Sequence, residues 1–283
     1  MAHPLSYIAQ RHALIDNLKG ASCLLIMLHH LAFYGPMSDV AIQVIPKTID
    51  FLFEYGRMAV SVFLVIGGYL SGLKLCQANL FTKTSVFDLI AQKYLRLVVP
   101  YLAAIALAII CSFIASYWMV HDSISNLPEP AQLVSHLFFL QNILGYESLS
   151  AGLWYVAIDF QLFTVSALLI FLIERLSPAS WPIRQTRLMS LLSISSLTIS
   201  SLFIFNLNDD LDIFFIYFFA SYGLGFLSAW FIQEKRVLLF IFVLIDVLAL
   251  ALYVDYRERI LLAGITALIL CLSHQYDWSH WHI

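Results

Sequence analysis

The sequence predicts an all-α fold, a polytopic transmembrane helix bundle of about eight spans with a cytoplasmic N-terminus, and three observations carry that prediction. Hydrophobic residues make up 61% of the 283 and charged residues 12%, where an average soluble domain carries roughly 25%. The apolar residues are gathered in repeated runs of membrane length, which a single soluble core would not require. Basic residues sort by side. With the N-terminus inside, the inner ends and loops hold Arg11, Lys19, Lys74, Lys83, Lys93, Arg96, Arg175, Arg184, Arg187, Lys235 and Arg236. The outer side keeps only Lys47, Arg57, Arg257 and Arg259, a split of eleven to four among the 15 Lys and Arg residues. Cytoplasmic loops carry such an excess, and the outer loops are acidic, with Asp39, Asp50, Glu54, Asp122, Glu129, Glu147, Asp209, Asp210 and Asp212. The formal net charge of −3 says nothing about partners beyond this sorting, and no nucleic-acid partner is expected.

The first span is read at 13–34. It is too charged for a secretory leader, because Asp16 and Lys19 lie inside it and no small-residue cleavage site precedes Tyr34. It is expected to stay as a helix. The following spans are read at 58–75, 95–120, 153–173, 188–205, 213–232 and 237–254, with a shorter one at 260–273. Helicity follows from the lipid, which offers the backbone no other way to pair its polar groups. Two outer segments separate the early spans. That at 36–55 mixes polar and apolar residues. In that at 121–152, Pro128 and Pro130 precede an apolar stretch at 133–144, too short to cross and read as an interfacial or re-entrant helix. No repeat or domain linker interrupts the chain, so 1–283 is read as one membrane-embedded domain with a short tail at 274–283. The four cysteines, Cys23, Cys76, Cys111 and Cys271, show no ligand spacing and are read as small buried hydrophobes.

Ionisable groups inside a span are costly and default to a functional reading. The first span carries Asp16, Lys19 and the pair His29-His30. Eleven residues at about 100° each bring Lys19 and His30 onto one stripe, about 16 Å apart. Histidine exchanges a proton most readily near neutrality, which makes His30 the expected chemical centre. Counted from the outer ends of their spans, His30, Ser61 and Asp159 lie at nearly one depth. Asp159 could then orient the imidazole, or could pair with some other polar group. Lys19, Lys93 and Arg96 form an inner level, with Lys93 and Arg96 on one helix face at the start of the third span. They suit the phosphates of a cytoplasmic donor, although positive-inside anchoring accounts for Lys93 equally well. Gly67-Gly68 suits close helix packing, and Asp246, at mid-span, is expected to face protein or water. In the tail, Trp278, His280, Trp281 and His282 read as interfacial anchors, with no metal site.

Four ordered stretches resemble a known family. Asp16-Asn17-Leu18-Lys19-Gly20 runs on to His30, and the segment from Gly56 to Leu70 carries Ser61 and Gly67-Gly68. Tyr94-Leu95-Arg96 with Pro100-Tyr101 follows, then Leu153-Trp154-Tyr155-Val156-Ala157-Ile158-Asp159-Phe160-Gln161. Together they are similar to the motifs of the acyltransferase 3 family, integral membrane O-acyltransferases, over 16–173. The resemblance implies transfer of an acyl group, commonly acetyl, from acyl-CoA (acetyl-CoA) to a hydroxyl of a carbohydrate or glycolipid. It implies no bound cofactor, membrane lipids as surroundings, and a multi-pass place in a bacterial inner membrane. The family's essential His falls on His30 and its third-span Arg on Arg96. Trp154 falls within the Leu-Trp motif. Lys19 stands where the family has Arg, which keeps the charge and loses the planar fork. Ser61 stands for an Asp and Asp159 for a Glu, and the family's final helix, with its Gly-x-x-Ser-Tyr pattern, is not found. The implied catalytic pair is His30 and Asp159, with His30 as general base or as transient acyl carrier. Lys19, Arg96, Lys93, Ser61 and Trp154 would bind substrates. A small transporter or flippase-like protein, or a non-catalytic relative, would use the same intramembrane charges, but transporters usually carry repeats.

Overall fold

A computed structural model describes residues 4–34, 36–77, 80–120, 124–178 and 180–275. It is all-α, 80% helical and without strands among the described residues. In chain order the helices are α1 (Pro4–Phe33), α2 (Pro36–Ala41), α3 (Pro46–Tyr55), α4 (Ala59–Leu75), α5 (Leu80–Lys83), α6 (Val86–Ser116), α7 (Pro130–Leu137), α8 (Leu153–Leu176), α9 (Ile183–Phe203), α10 (Phe215–Gln233), α11 (Val237–Val254) and α12 (Glu258–Gln275). Six helical segments are long and apolar enough to cross a membrane: Pro46–Leu75, Val86–Ser116, Leu153–Leu176, Ile183–Leu207, Phe215–Gln233 and Val237–Val254. The first of these runs from α3 through a short 3-10 turn, Gly56–Met58, into α4.

The bundle is built on α4 against α10. Glycine lets the two backbones touch: a Cβ on Gly68 would land on the Tyr222 carbonyl, and one on Gly225 on that of Val65. One on Gly72 would lie 2.7 Å from the Phe226 carbonyl oxygen. The contacts 68–222 and 72–226 advance together, so the two helices run in the same direction. The other helices are arranged around this pair. α1, α8 and α12 pack on α4, and α8, α9, α11 and α12 on α10. α6 stands outside, packed on α8. Side-chain hydrogen bonds lock α9 to α10, where Ser201 Oγ donates to the Ile216 carbonyl at 2.6 Å and accepts from Ala220 N–H at 2.8 Å. The turn between α11 and α12 is tied back by Arg257, 7% exposed, which donates to Asn206 Oδ1 (2.8 Å) and the Leu202 carbonyl (3.0 Å). Beside it, a hydrogen bond from the Tyr217 hydroxyl (2.6 Å) holds the Asp209 carboxyl below its ordinary pKa.

Several helix bounds differ from the sequence reading. α6 starts at Val86, nine residues before 95, because Ser85 caps it by accepting from Phe87 N–H (3.2 Å) and Asp88 sits in its first turn. α9 starts at Ile183, directly after Pro182, five residues before 188. The expected helix at 133–144 is instead α7, with Pro130 at its start, followed by turns. It stops because Phe139 adopts a positive φ of 57° and is driven into a cage of Tyr101, Phe160 and Tyr94, with ring centroids at 4.9, 5.2 and 5.6 Å. Cys23 and Cys111 are exposed, against expectation, while Cys76 and Cys271 are buried, and all four are free. Asp246 faces no protein partner among the described residues. It is exposed on the outward side of α11, whose inward side is taken by Leu244, Leu248 and Ala251. The tail anchors at Trp278, His280, Trp281 and His282 lie outside the described residues.

Replacing Gly68 by Ala is expected to lower the thermal midpoint of the detergent-solubilised protein by an amount corresponding to about 1–3 kcal/mol, as overpacking does. Gly20→Ala, with nothing within 4 Å of the new Cβ, should leave it unchanged.

Candidate functional site

The unbroken course of α1 from Pro4 to Phe33 carries both Lys19 and His30, so the stripe that joins them, about 16 Å long, is present. At its far end the two adjacent histidines differ in role. His29 is 6% exposed and its Nδ1 lies 2.9 Å from the Leu52 carbonyl of α3. A Cβ on Gly56 would fall 2.6 Å from the His29 Cβ, so glycine is what lets the 3-10 turn close over this ring. His29 thus fastens α1 to the head of the next span. The sequence flagged the pair but not this division of labour. His30 is half-buried, its ring 5.3 Å from that of His29 and 5.7 Å from that of Tyr34. Its Nδ1 is buried with no hydrogen-bond partner. A buried polar atom without a partner is costly and marks a place for scrutiny.

The Asp159 carboxylate is not bonded to His30. Its Oδ2 accepts from Lys93 Nζ at 2.6 Å, in an ion pair whose side chains are 12% and 22% exposed. Its Oδ1 faces Gly67, where a Cβ would sit 3.0 Å away. The Lys93 ammonium also lies 5.5 Å from the centroid of the Phe163 ring. The depth argument separated Lys93 from Asp159 because it began the third span at 95. With α6 beginning at Val86, Lys93 lies seven residues, about 10 Å, along the helix and meets α8 where Asp159 emerges. In low dielectric a full cation is a stronger partner for a carboxylate than a neutral imidazole. A signal was available in sequence: two intramembrane charges of opposite sign on consecutive long spans must be neutralised, and pairing with each other is the shortest route.

The remaining residues are dispersed. Ser61 is 6% exposed in the first turn of α4. Trp154 is half-buried in the first turn of α8, its ring 5.4 Å from Phe218. Arg96 is exposed on α6 and Lys19 half-exposed on α1, and among the described residues neither makes an ion pair. Two cavities are lined by other residues: one of about 320 Å³ beside Ser112, Tyr117 and Asn126, and one of about 450 Å³ among Trp181, Trp230, Glu174 and Arg187. The described residues contain no group of three or more His, Cys, Asp or Glu that could hold a metal.

An all-α bundle of long apolar helices, with a half-buried imidazole on one helix and a charged pair between two others, defines an integral membrane protein with ionisable groups in its interior. The family model described as an acyltransferase domain, of the acyltransferase 3 type, matches residues 12–282, and the chain belongs to that family. It is therefore a multi-pass membrane protein of a family of O-acyltransferases. No curated protein and no solved structure matches it.

Lys93→Met leaves Asp159 without its cation and is expected to destabilise the purified protein by about 3–5 kcal/mol, whereas adding Asp159→Leu should recover most of that loss. Thermal midpoints of the two single variants and the double variant measure the coupling.

Proposed function

We propose that the protein transfers an acyl group, acetyl in the simplest case, from a coenzyme A thioester to a hydroxyl of a carbohydrate or glycolipid, with His30 as general base. The observation that carries the reading is His30 itself, half-buried with an unpartnered Nδ1 in a chain of the acyltransferase 3 family, beside a histidine already spent on structure. In this reading the ring takes the proton of the acceptor hydroxyl as its oxygen attacks the thioester carbonyl carbon. A C–O bond forms, the C–S bond breaks, and the proton passes on to the departing thiolate. The donor's phosphates meet Lys19 and Arg96, the two cations among the predicted binding residues that no carboxylate claims. Lys93 acts at one remove. It holds the Asp159 carboxyl beside Gly67, and is a positioning residue. Ser61 and Trp154, each in the first turn of its helix, are further substrate contacts in this reading. A bacterial inner membrane is the setting this proposal expects, with the acceptor arriving from the outer side.

The test is transfer of radiolabelled acetyl groups from acetyl-CoA to a panel of sugars by the purified protein in detergent. His30→Ala is expected to lower turnover by about 10²–10⁴-fold, the range of a lost general base, with an unchanged thermal midpoint. Turnover equal to wild type would overturn the assignment of His30. Label retained on the protein before any acceptor is added would replace the general-base step by an acyl-histidine step. Lys19→Arg is expected to raise affinity for the donor by restoring the bidentate fork, read as a lower KM for acetyl-CoA at similar kcat.

A further inference from the structure

We propose that the protein is a two-fold dimer closed through α11, with Asp246 of one copy hydrogen-bonded to Asp246 of the other. α11 is an apolar helix of 18 residues and Asp246 is its tenth, which puts the carboxyl at mid-span. The group is exposed and makes no hydrogen bond or ion pair among the described residues. It lies in an outward stripe with Phe242 (69% exposed) and Leu250 (55%), one turn to either side. A bare carboxylate at that depth is too costly to leave in lipid, so the stripe requires a polar partner at the same level. A two-fold axis along the membrane normal supplies one without further design, because an isologous contact brings each residue opposite its own copy at its own depth. Two facing carboxyls cannot both stay ionised. One holds a proton, and its O–H donates to the other's carboxylate, a strong hydrogen bond in an apolar setting. Small Ala249, three residues on from Asp246, lets the two helices approach at this point. A head-to-tail contact is the competing geometry. Arg96, exposed on α6, offers the opposite charge, but pairing it with Asp246 of a neighbour is heterologous and closes no dimer.

The experiment uses the full chain in membranes, with Cys23, Cys76, Cys111 and Cys271 replaced by Ser. Single cysteines are placed at Phe242→Cys and Leu250→Cys on the stripe, and at Leu107→Cys on α6, also exposed, as control. Mild oxidation is expected to link the two α11 variants into dimers of this chain and to leave the α6 control monomeric. Adding Asp246→Leu is expected to cut the linked fraction by about fivefold, the scale of one lost interhelical hydrogen bond, while Asp246→Asn, still able to bond to its copy, should hold it within about twofold. Failure of both α11 cysteines to link overturns the proposal. So does a yield indifferent to Asp246→Leu, or a link to a different polypeptide.

Discussion

The direct backbone contact between α4 and α10 is the constraint on which the rest of the bundle depends. Lipid gives helices no hydrophobic reason to associate, so association rests on packing, and glycine allows the closest packing. Gly68 and Gly72 on one helix and Gly225 on the other remove the Cβ atoms that would hold the backbones apart. Every other long helix except α6 then packs on one or both of these two. Thr198 meets Gly223 on the opposite side of α10, so α9 approaches it by the same device. The pair Gly67-Gly68 serves two purposes, since its second member faces α10 while its first leaves room for the Asp159 carboxylate.

Neutralising charge in a dry interior imposes a second layer of order. Lys93 and Asp159 join α6 to α8, and α6 has few other ties, so the ion pair also helps fix a helix that the glycine contacts do not reach. The caged ring of Phe139 strengthens the same seam, because its partners Tyr94 and Tyr101 belong to α6 and Phe160 to α8. His136 belongs to this arrangement as well. With Nε2 accepting from Leu149 N–H (3.2 Å), its Nδ1–H donates to the Gln132 carbonyl (2.9 Å), which fixes the tautomer, and burial holds its pKa below the ordinary value. The loop between α6 and α8 is therefore folded onto the bundle.

For function the consequence is a division between groups that hold the fold and groups left free to react. His29, Lys93 and Asp159 are committed to partners, and among the described residues Lys19, Arg96 and the His30 Nδ1 are not. A hydrolase-like His–Asp pair, which the depth of the two residues suggested, does not form, because the carboxylate has a cation within reach. The chemistry proposed for His30 thus rests on an imidazole set by its ring neighbours His29 and Tyr34, with no acidic orienter.

Composition and hydropathy alone determined that the chain is helical and membrane-embedded, because lipid leaves the backbone no alternative. Local sequence also fixed α11 to the residue, and fixed α8 and α10 closely, since their apolar runs are bounded sharply by polar residues. The ordered motifs around His30, Gly67-Gly68, Arg96 and Asp159 were enough to name the family. Sequence did not place the start of α6, where helix formers such as Gln92 and Lys93 extend the helix beyond its apolar part. Only the tertiary structure decided that Lys93 meets Asp159, that His29 and not His30 closes on Gly56, and that Asp246 faces outward. Each depends on the rotation of one helix against another, and that rotation is set by contacts between residues far apart in the chain, which no local pattern encodes.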